Sequence, residues 1–168
     1  MRLRAPELTD VDFIYRVENH PERLLYGRTG LPYSRELITD YISNYNLTAL
    51  DSGNVRFILE DTAHGTSNSI GIVDLYNIDF STRKAFISIY IEEEYRRQGH
   101  GTTAVKQAVA FARDNLGLNQ IVAVVAEFNI ASNALFAHLQ FKQIALLPQW
   151  SRNTAGELAN ARLMNKIL

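Results

Sequence analysis

The stretch RRQGHGTTAVKQ, residues 96–107, sets Arg96, Arg97, Gly99 and Gly101 just before a run with helical apolar spacing and just after the strand-like FISIYI. The first turn of a helix leaves amides without partners at the positive end of the helix dipole. Glycines at 99 and 101 remove side chains that would hold a phosphate away from those amides, and the two guanidiniums add complementary charge. The chemistry so suggested is capture of a phosphate or diphosphate. A solvated glycine turn would carry the same residues, and GHGTTA at 99–104 also satisfies the dinucleotide fingerprint of a nucleotide-binding oxidoreductase, with Glu127 ending the next strand. That fingerprint needs its first glycine directly after the strand, whereas EEEYRRQ intervenes, and the 41 residues after Glu127 are too few for a second mononucleotide half. A kinase-type phosphate loop lacks its Gly-Lys-Ser/Thr.

Other reactive residue types are sparse. There is no cysteine, which excludes disulfides, thiolate metal sites and a cysteine nucleophile. The four histidines, His20, His64, His100 and His138, match no metal-ligand spacing. Glu92, Glu93 and Glu94 read as a solvated acidic turn. With 17 Lys+Arg against 18 Asp+Glu, no general basic field draws the chain to nucleic acid or an anionic membrane, so any anion site must be local. No run reaches the roughly 18 apolar residues of a membrane span, and the start MRLRAPELTD lacks a signal-peptide core. The expectation is a soluble, cytoplasmic protein.

The elements that must position the turn follow from periodicity. At 168 residues and 46% apolar content, one domain over the whole chain is expected. Residues 3–5 read as a short strand. Thr9 and Asp12 resemble a capping box for a helix ending near Asn19, and the segment from 20 to 33 is irregular. Ser34 caps a second helix with Leu37, Ile38, Tyr41, Ile42 and Tyr45 toward the core. Residues 55–60, 69–76 and 84–91 form an antiparallel meander. Residues 102–116 form the strongest helix, stopped by Gly117; 120–127 is a buried strand, 132–139 a short helix, and 141–147 and 161–167 two closing strands. The fold class is α/β (α+β): one mixed, mostly antiparallel sheet of about seven strands with helices on both faces.

YRRQGHG, preceded by a strand and followed by an amphipathic helix, resembles motif A of the GNAT superfamily of acyl-CoA N-acyltransferases, Arg/Gln-x-x-Gly-x-Gly/Ala. NIASNALFAHLQF, residues 129–141, resembles that superfamily's second signature, and the opening LRAPELTDVDFIYRVENHPE is similar to the branch holding ribosomal-protein alanine and spermidine acetyltransferases. The resemblance covers essentially the whole chain. It implies a central strand pair that splays, with amides of Arg97, Gln98, Gly99, His100, Gly101 and Thr102 on the CoA pyrophosphate, and Arg96 in the motif's first position. It further implies Ile89 and Ile91 on the pantetheine arm, with Asn129, Asn133 and Phe136 reaching the same arm; the pantetheine amide would pair like an added strand.

The implied activity is direct transfer of an acetyl group from acetyl-CoA, a co-substrate, to a primary amine: a polyamine, another small amine or a protein N-terminus. No metal, nucleic acid or membrane is involved, and a homodimer stays open. The sequence departs from the family at two places. Phe136 stands where many relatives carry a Tyr that protonates the departing thiolate, and Gln140 replaces a Gly. Phe136 has no proton to give, so the general acid is unassigned, and Lys84, Ala85 and Phe86 do not supply the Glu base of many relatives, so the base is open. Asp74, in GIVDLYNID, is the expected base, directly or through water, against a plain reading as a solvent-facing strand residue. The alternative to turnover is a CoA-binding module with weakened catalysis.

Overall fold

A computed structural model describes residues 1–21, 23, 31–45, 51–62 and 67–168. Glu22 and His64 lie outside the described residues. In chain order the strands are β1 (Arg2–Arg4), β2 (Val55–Asp61), β3 (Asn68–Asp79), β4 (Lys84–Ile91), β5 (Gln120–Ala126), β6 (Lys142–Arg152) and β7 (Leu158–Ile167). The described helices are α1 (Val11–Glu18), α2 (Arg35–Ser43), α3 (His100–Asp114) and α4 (Ile130–His138), with short 3₁₀ turns at Leu8–Asp10 and Glu93–Tyr95.

One seven-stranded sheet runs in the order β1-β2-β3-β4-β5-β7-β6. Every neighbouring pair is antiparallel except β4 and β5, which are parallel. A parallel pair needs a crossover rather than a hairpin, and α3 supplies it. Alternation along β2, β3 and β4 divides the side chains between two cores. Leu59, Val73, Leu75, Ala85 and Ile87 pack with Val105, Ala108 and Ala112 of α3 and Phe136 of α4 on one face. On the other face Ile58 and Ile72 meet Phe13, Ile14 and Val17 of α1 and Ile38 and Ile42 of α2. Helices therefore cover both faces. No helix among the described residues is long and apolar enough to cross a membrane.

Several expected boundaries move for local reasons. The Asp10 carboxylate accepts from the Glu7 amide at 2.8 Å, closing a capping box on the 3₁₀ turn that leads into the first helix; Asp12, expected to cap that helix, pairs with Arg35 of α2 instead. Ser34 does cap α2, accepting from the Leu37 amide at 3.1 Å, yet Leu37 itself is 53% exposed rather than part of the core. Asn129 caps α4: its side chain accepts from the Ser132 amide, so the helix starts at Ile130, two residues earlier than expected.

Candidate acyl-CoA site

The site begins where β4 and β5 stop pairing. Their register holds from Lys84↔Gln120 to Phe86↔Val122 and goes no further, although β4 runs on to Ile91 and β5 to Ala126. Residues 87–91 and 123–126 thus diverge, leaving a wedge whose walls are strand backbone. Beyond it each strand keeps its other neighbour: β4 stays on β3 through Ile91↔Gly71, and β5 stays on β7 through Ala126↔Ala161. An extended amide-bearing chain entering the wedge can bond to both walls as a missing strand would. The splayed pair implied by the family resemblance is present.

Above the β4 wall lies the glycine turn. Arg97 has φ 60° and Gly99 φ 83°, two left-handed residues that curl the chain immediately before α3. The first amide of this helix paired to the turn is that of Thr103, which donates to the Gly99 carbonyl at 3.2 Å. The amides of His100, Gly101 and Thr102 come before that bond and face the helix's N-terminal end, the positive pole of its dipole. The two glycines differ. A Cβ on Gly99 would meet nothing within 4 Å, whereas one on Gly101 would touch Leu135 of α4 at 3.4 Å and Ile91 of β4 at 3.5 Å. Gly99 therefore leaves the approach to the amides open, and Gly101 lets α3 settle against β4 and α4.

The guanidinium of Arg96 folds back, its Nε donating to the Ile91 carbonyl at 2.8 Å, so it braces the end of β4; Arg97 and Gln98 are exposed on the turn. The Gln98 amide nitrogen donates to the Glu94 carbonyl at 2.8 Å. His100 points away from the turn, its Nδ1 lying 3.2 Å from the Met1 sulfur. Ile89 and Ile91 sit in the diverging half of β4, half-buried against the α3/α4 core.

On the opposite wall Asn133 is buried. Its Nδ2 lies 2.9 Å from the Ala126 carbonyl, 2.8 Å from that of Asn129 and 3.3 Å from that of Glu127, tying α4 to the end of β5. Its Oδ1 is buried with no hydrogen-bond partner among the described residues. A buried acceptor left alone costs about 1–3 kcal/mol, so an N–H from outside the chain has a reason to bind there. Phe136 does not belong to this surface. It is 3% exposed and packs edge-on against Phe141, ring centroids 5.0 Å apart, so its expected contact with the cofactor arm gives way to a core role.

Asp74 also sits otherwise than expected. Register places it beside Arg56 of β2 and Ser88 of β4 on the α1/α2 face. Arg56 Nε reaches one carboxylate oxygen at 2.7 Å; Arg56 Nη2 at 3.1 Å and Arg23 Nη2 at 2.9 Å reach the other. Glu18 of α1 completes the cluster, 2.7 Å from Arg56 and 3.1 Å from Arg23. Burial alone would raise the Asp74 carboxyl; the charges and hydrogen bonds of Arg56 and Arg23 outweigh it and hold the pKa at about 2. So acidic a group, with both oxygens engaged by guanidiniums, is a poor acceptor for an ammonium proton. The expectation that Asp74 is the base gives way to a buried ion cluster. Arg23 and Arg56 escaped the sequence reading because their charges meet Asp74 only through strand register and the return of α1; a charged Arg56 alternating with Ile58 on a buried face was the available signal.

On the same face an open cleft of about 430 Å³ is lined by Arg16, Val17, His20, Tyr90 and Glu92, Glu93 and Glu94. Arg16 Nη2 pairs with Glu92 at 2.8 Å, joining α1 to the end of β4.

A sheet with one parted parallel pair, a bare amide turn beside it and an orphaned acceptor across from it define an acyl-CoA-binding fold. A model of the acetyltransferase (GNAT) domain matches residues 1–142, and the chain belongs to that family. A spermidine N(1)-acetyltransferase of Vibrio cholerae is 29% identical over 141 residues, 84% of this chain and 78% of that protein. An N-alpha-acetyltransferase of Saccharolobus solfataricus is 26% identical over 152 residues, 86% of this chain and 82% of its own. The crystal structure of the V. cholerae spermidine N-acetyltransferase in complex with CoA and spermine superposes with TM-score 0.85 at 26% identity, covering 99% of this chain and 94% of that one. The reaction is acetyl-CoA-dependent N-acetylation of an amine, with acetyl-CoA as co-substrate.

Proposed function

We propose that the wedge and turn hold acetyl-CoA while a primary amine reaches the thioester from the α1/α2 side. The observation that carries this reading is the end of β4–β5 pairing at Phe86↔Val122 beside the bare turn at Gly99. Amides of residues 97–102 and the charge of Arg97 fit the pyrophosphate. The diverging backbone at Ile89 and Ile91 fits the pantetheine amides, and Asn133 Oδ1 offers them an acceptor. Asn129 serves from behind as the cap of α4. A thioester carbonyl is electrophilic enough for direct attack, so no covalent enzyme intermediate is required. Orientation of the two substrates and a strand amide on the carbonyl oxygen lower the barrier.

The acceptor classes supported by the relatives are polyamines and protein N-termini, with other small amines alongside. The three glutamates of the cleft favour a cationic acceptor. Self-association as a homodimer is supported by the outer strand β6, whose Ile144, Leu146 and Trp150 are 54%, 46% and 64% exposed. The engagement of Asp74, the expected base, by Arg56 and Arg23 favours a second reading, CoA binding with weakened turnover. One assay separates the two: labelled acetyl-CoA with spermidine, an Ala-initiated peptide and an aminoglycoside. Transfer to at least one of them is the expected outcome; CoA binding without transfer to any amine selects the binding module.

A further inference from the structure

The pantetheine arm has room only where the end of β4 stands clear of β5, and the place of that end depends on how closely β4 lies on its other neighbour, β3. Gly71 of β3 faces Ile91 in register there. A Cβ on Gly71 would stand 2.5 Å from the Tyr90 carbonyl oxygen and 3.4 Å from both Cα and Cγ1 of Ile91. We infer that Gly71 is a positioning residue for the transfer reaction, an assignment that rests on the acyl-CoA reading above. By letting β3 and β4 approach each other, it draws the wall at Tyr90 and Ile91 away from β5 and opens the wedge to the pantetheine arm.

This close approach differs in kind from that at Gly101, where a Cβ meets only the side-chain ends of Leu135 and Ile91. Such ends rotate aside. The Tyr90 oxygen is backbone in a paired strand, and a Cβ needs about 3.0 Å from it, so an alanine at 71 must part the two strands at that height. In the order β3-β4-β5, what lies on the far side of β4 beyond Phe86↔Val122 is the wedge itself. The wall therefore moves inward, swinging about the pairs that remain closed.

The neighbouring strand carries a matching device. Leu59 of β2 stands opposite Gly71, and the β2–β3 register shifts directly after it, between Leu59 and Glu60. A bulge bends its strand and is common beside active sites; a glycine within a strand marks a place where another backbone comes close. Both fall here at the height of the wedge mouth. The wall is then fastened where Gly71 lets it lie. The Glu92 amide donates to the Ile70 carbonyl at 3.0 Å, and Arg96 Nε donates to the Ile91 carbonyl at 2.8 Å. One bond ties the end of β4 to β3 and the other ties it to the turn, so a displacement at Ile91 passes into the backbone that lines the arm. With the pyrophosphate held at the open end, the thioester leads toward the closed pairs, and a displaced wall misplaces it as well as crowding the arm.

The test compares the parent with Gly71→Ala and, as a control, with Gly117→Ala, which strains a residue of φ 63° in open space at the far end of α3. Calorimetry measures binding of CoA and of 3′-phospho-ADP, the nucleotide half of CoA, which reaches the turn but not the wedge. Acetylation of spermidine and of an Ala-initiated peptide is followed at varied acetyl-CoA. For Gly71→Ala the expected result is CoA affinity down at least about tenfold and 3′-phospho-ADP affinity within about twofold of the parent. The kcat/KM for acetyl-CoA should fall by about 100-fold, while Gly117→Ala resembles the parent in all three. Unchanged CoA affinity in Gly71→Ala overturns the assignment. So does a loss shared equally by CoA and 3′-phospho-ADP, because that marks a general loss of folded protein. Sucrose, which favours the compact state, is added where the variant is unstable; a Gly71→Ala that stays unfolded in it also overturns the assignment, since the glycine then serves the sheet and not the wedge. A parent that binds no CoA overturns the acyl-CoA reading and the assignment with it. A parent that binds CoA and acetylates nothing overturns turnover alone, and the contrast between CoA and 3′-phospho-ADP still decides the role of Gly71.

Discussion

Gly99 and Gly101 stand two residues apart and do different work. Gly99 has φ 83° and open space before it, and Gly101 has neighbours at 3.4 and 3.5 Å. Gly99→Ala forces a left-handed alanine, at about 1–2 kcal/mol, and sets a methyl in the path to the amides. The expected outcome is a loss of CoA affinity of at least about tenfold, or 1.4 kcal/mol. Gly101→Ala touches only flexible ends of Leu135 and Ile91, and CoA affinity is expected to stay within about twofold, a change of about 0.4 kcal/mol. Isothermal calorimetry on both variants checks the contrast; equal losses would mean that both glycines face the pyrophosphate.

Asp74 supplies a second prediction at this scale. Its carboxyl ordinarily titrates at 3.8 and is held at about 2 in the fold. A depressed carboxylate pKa gives stability that is fully present above the unfolded value and is lost as pH falls through the folded one. The window is therefore pH 4 to 2, and the amount is roughly 2 kcal/mol. Asp74→Asn leaves two buried guanidiniums, Arg56 and Arg23, with Glu18 as the one carboxylate they share among the described residues, so neutral-pH stability should drop by about 3–5 kcal/mol. The remaining acid transition between pH 4 and 2 should be shallower than the parent's. Urea unfolding of both proteins at several pH values reads both effects, and CoA affinity serves as the control.

The elements show which parts of the fold the sequence carried and which it did not. β4 was legible to the residue, 84–91, because strict alternation of FISIYI between two cores leaves no other register. α3 begins at His100 rather than 102, since Gly99 caps it in a left-handed conformation and the first turn adds nothing to the apolar period. β6 and β7 run longer than expected, to Lys142–Arg152 and Leu158–Ile167; the edge position of β6 exposes most of its residues and blurs the burial pattern. Within the site, the turn was readable because its residue types are local. The reason for Gly101 was not, since it lies in Leu135 on another helix. The neutralisation of Asp74 depends on Arg56 facing it across the sheet. What chain neighbours determine, sequence reveals; what register and helix docking determine, it does not.

At the scale of the whole molecule, the sheet is two sheets sharing a short seam. β1 to β4 carry α1 and α2 on one face, β5 with β7 and β6 carries α4, and between the two sets β4 and β5 share only the register pairs from Lys84↔Gln120 to Phe86↔Val122. α3 closes the seam from one face by packing Val105, Ala108 and Ala112 into the common core. A pantetheine arm in the wedge would extend that seam, so CoA should act as a structural strand as well as a substrate. At a ligand concentration 100 times Kd, linkage gives about 2.7 kcal/mol. For a chain of 168 residues this corresponds to a rise in Tm of about 5–10 °C. The rise should have an address: amides of residues 87–91 and 123–126 should gain protection from hydrogen exchange, while those of β1 and the outer strand β6 stay as they were. Exchange measured by mass spectrometry with and without CoA, beside a thermal scan, decides it. A higher Tm with unchanged exchange on both wedge walls would place CoA elsewhere on the molecule.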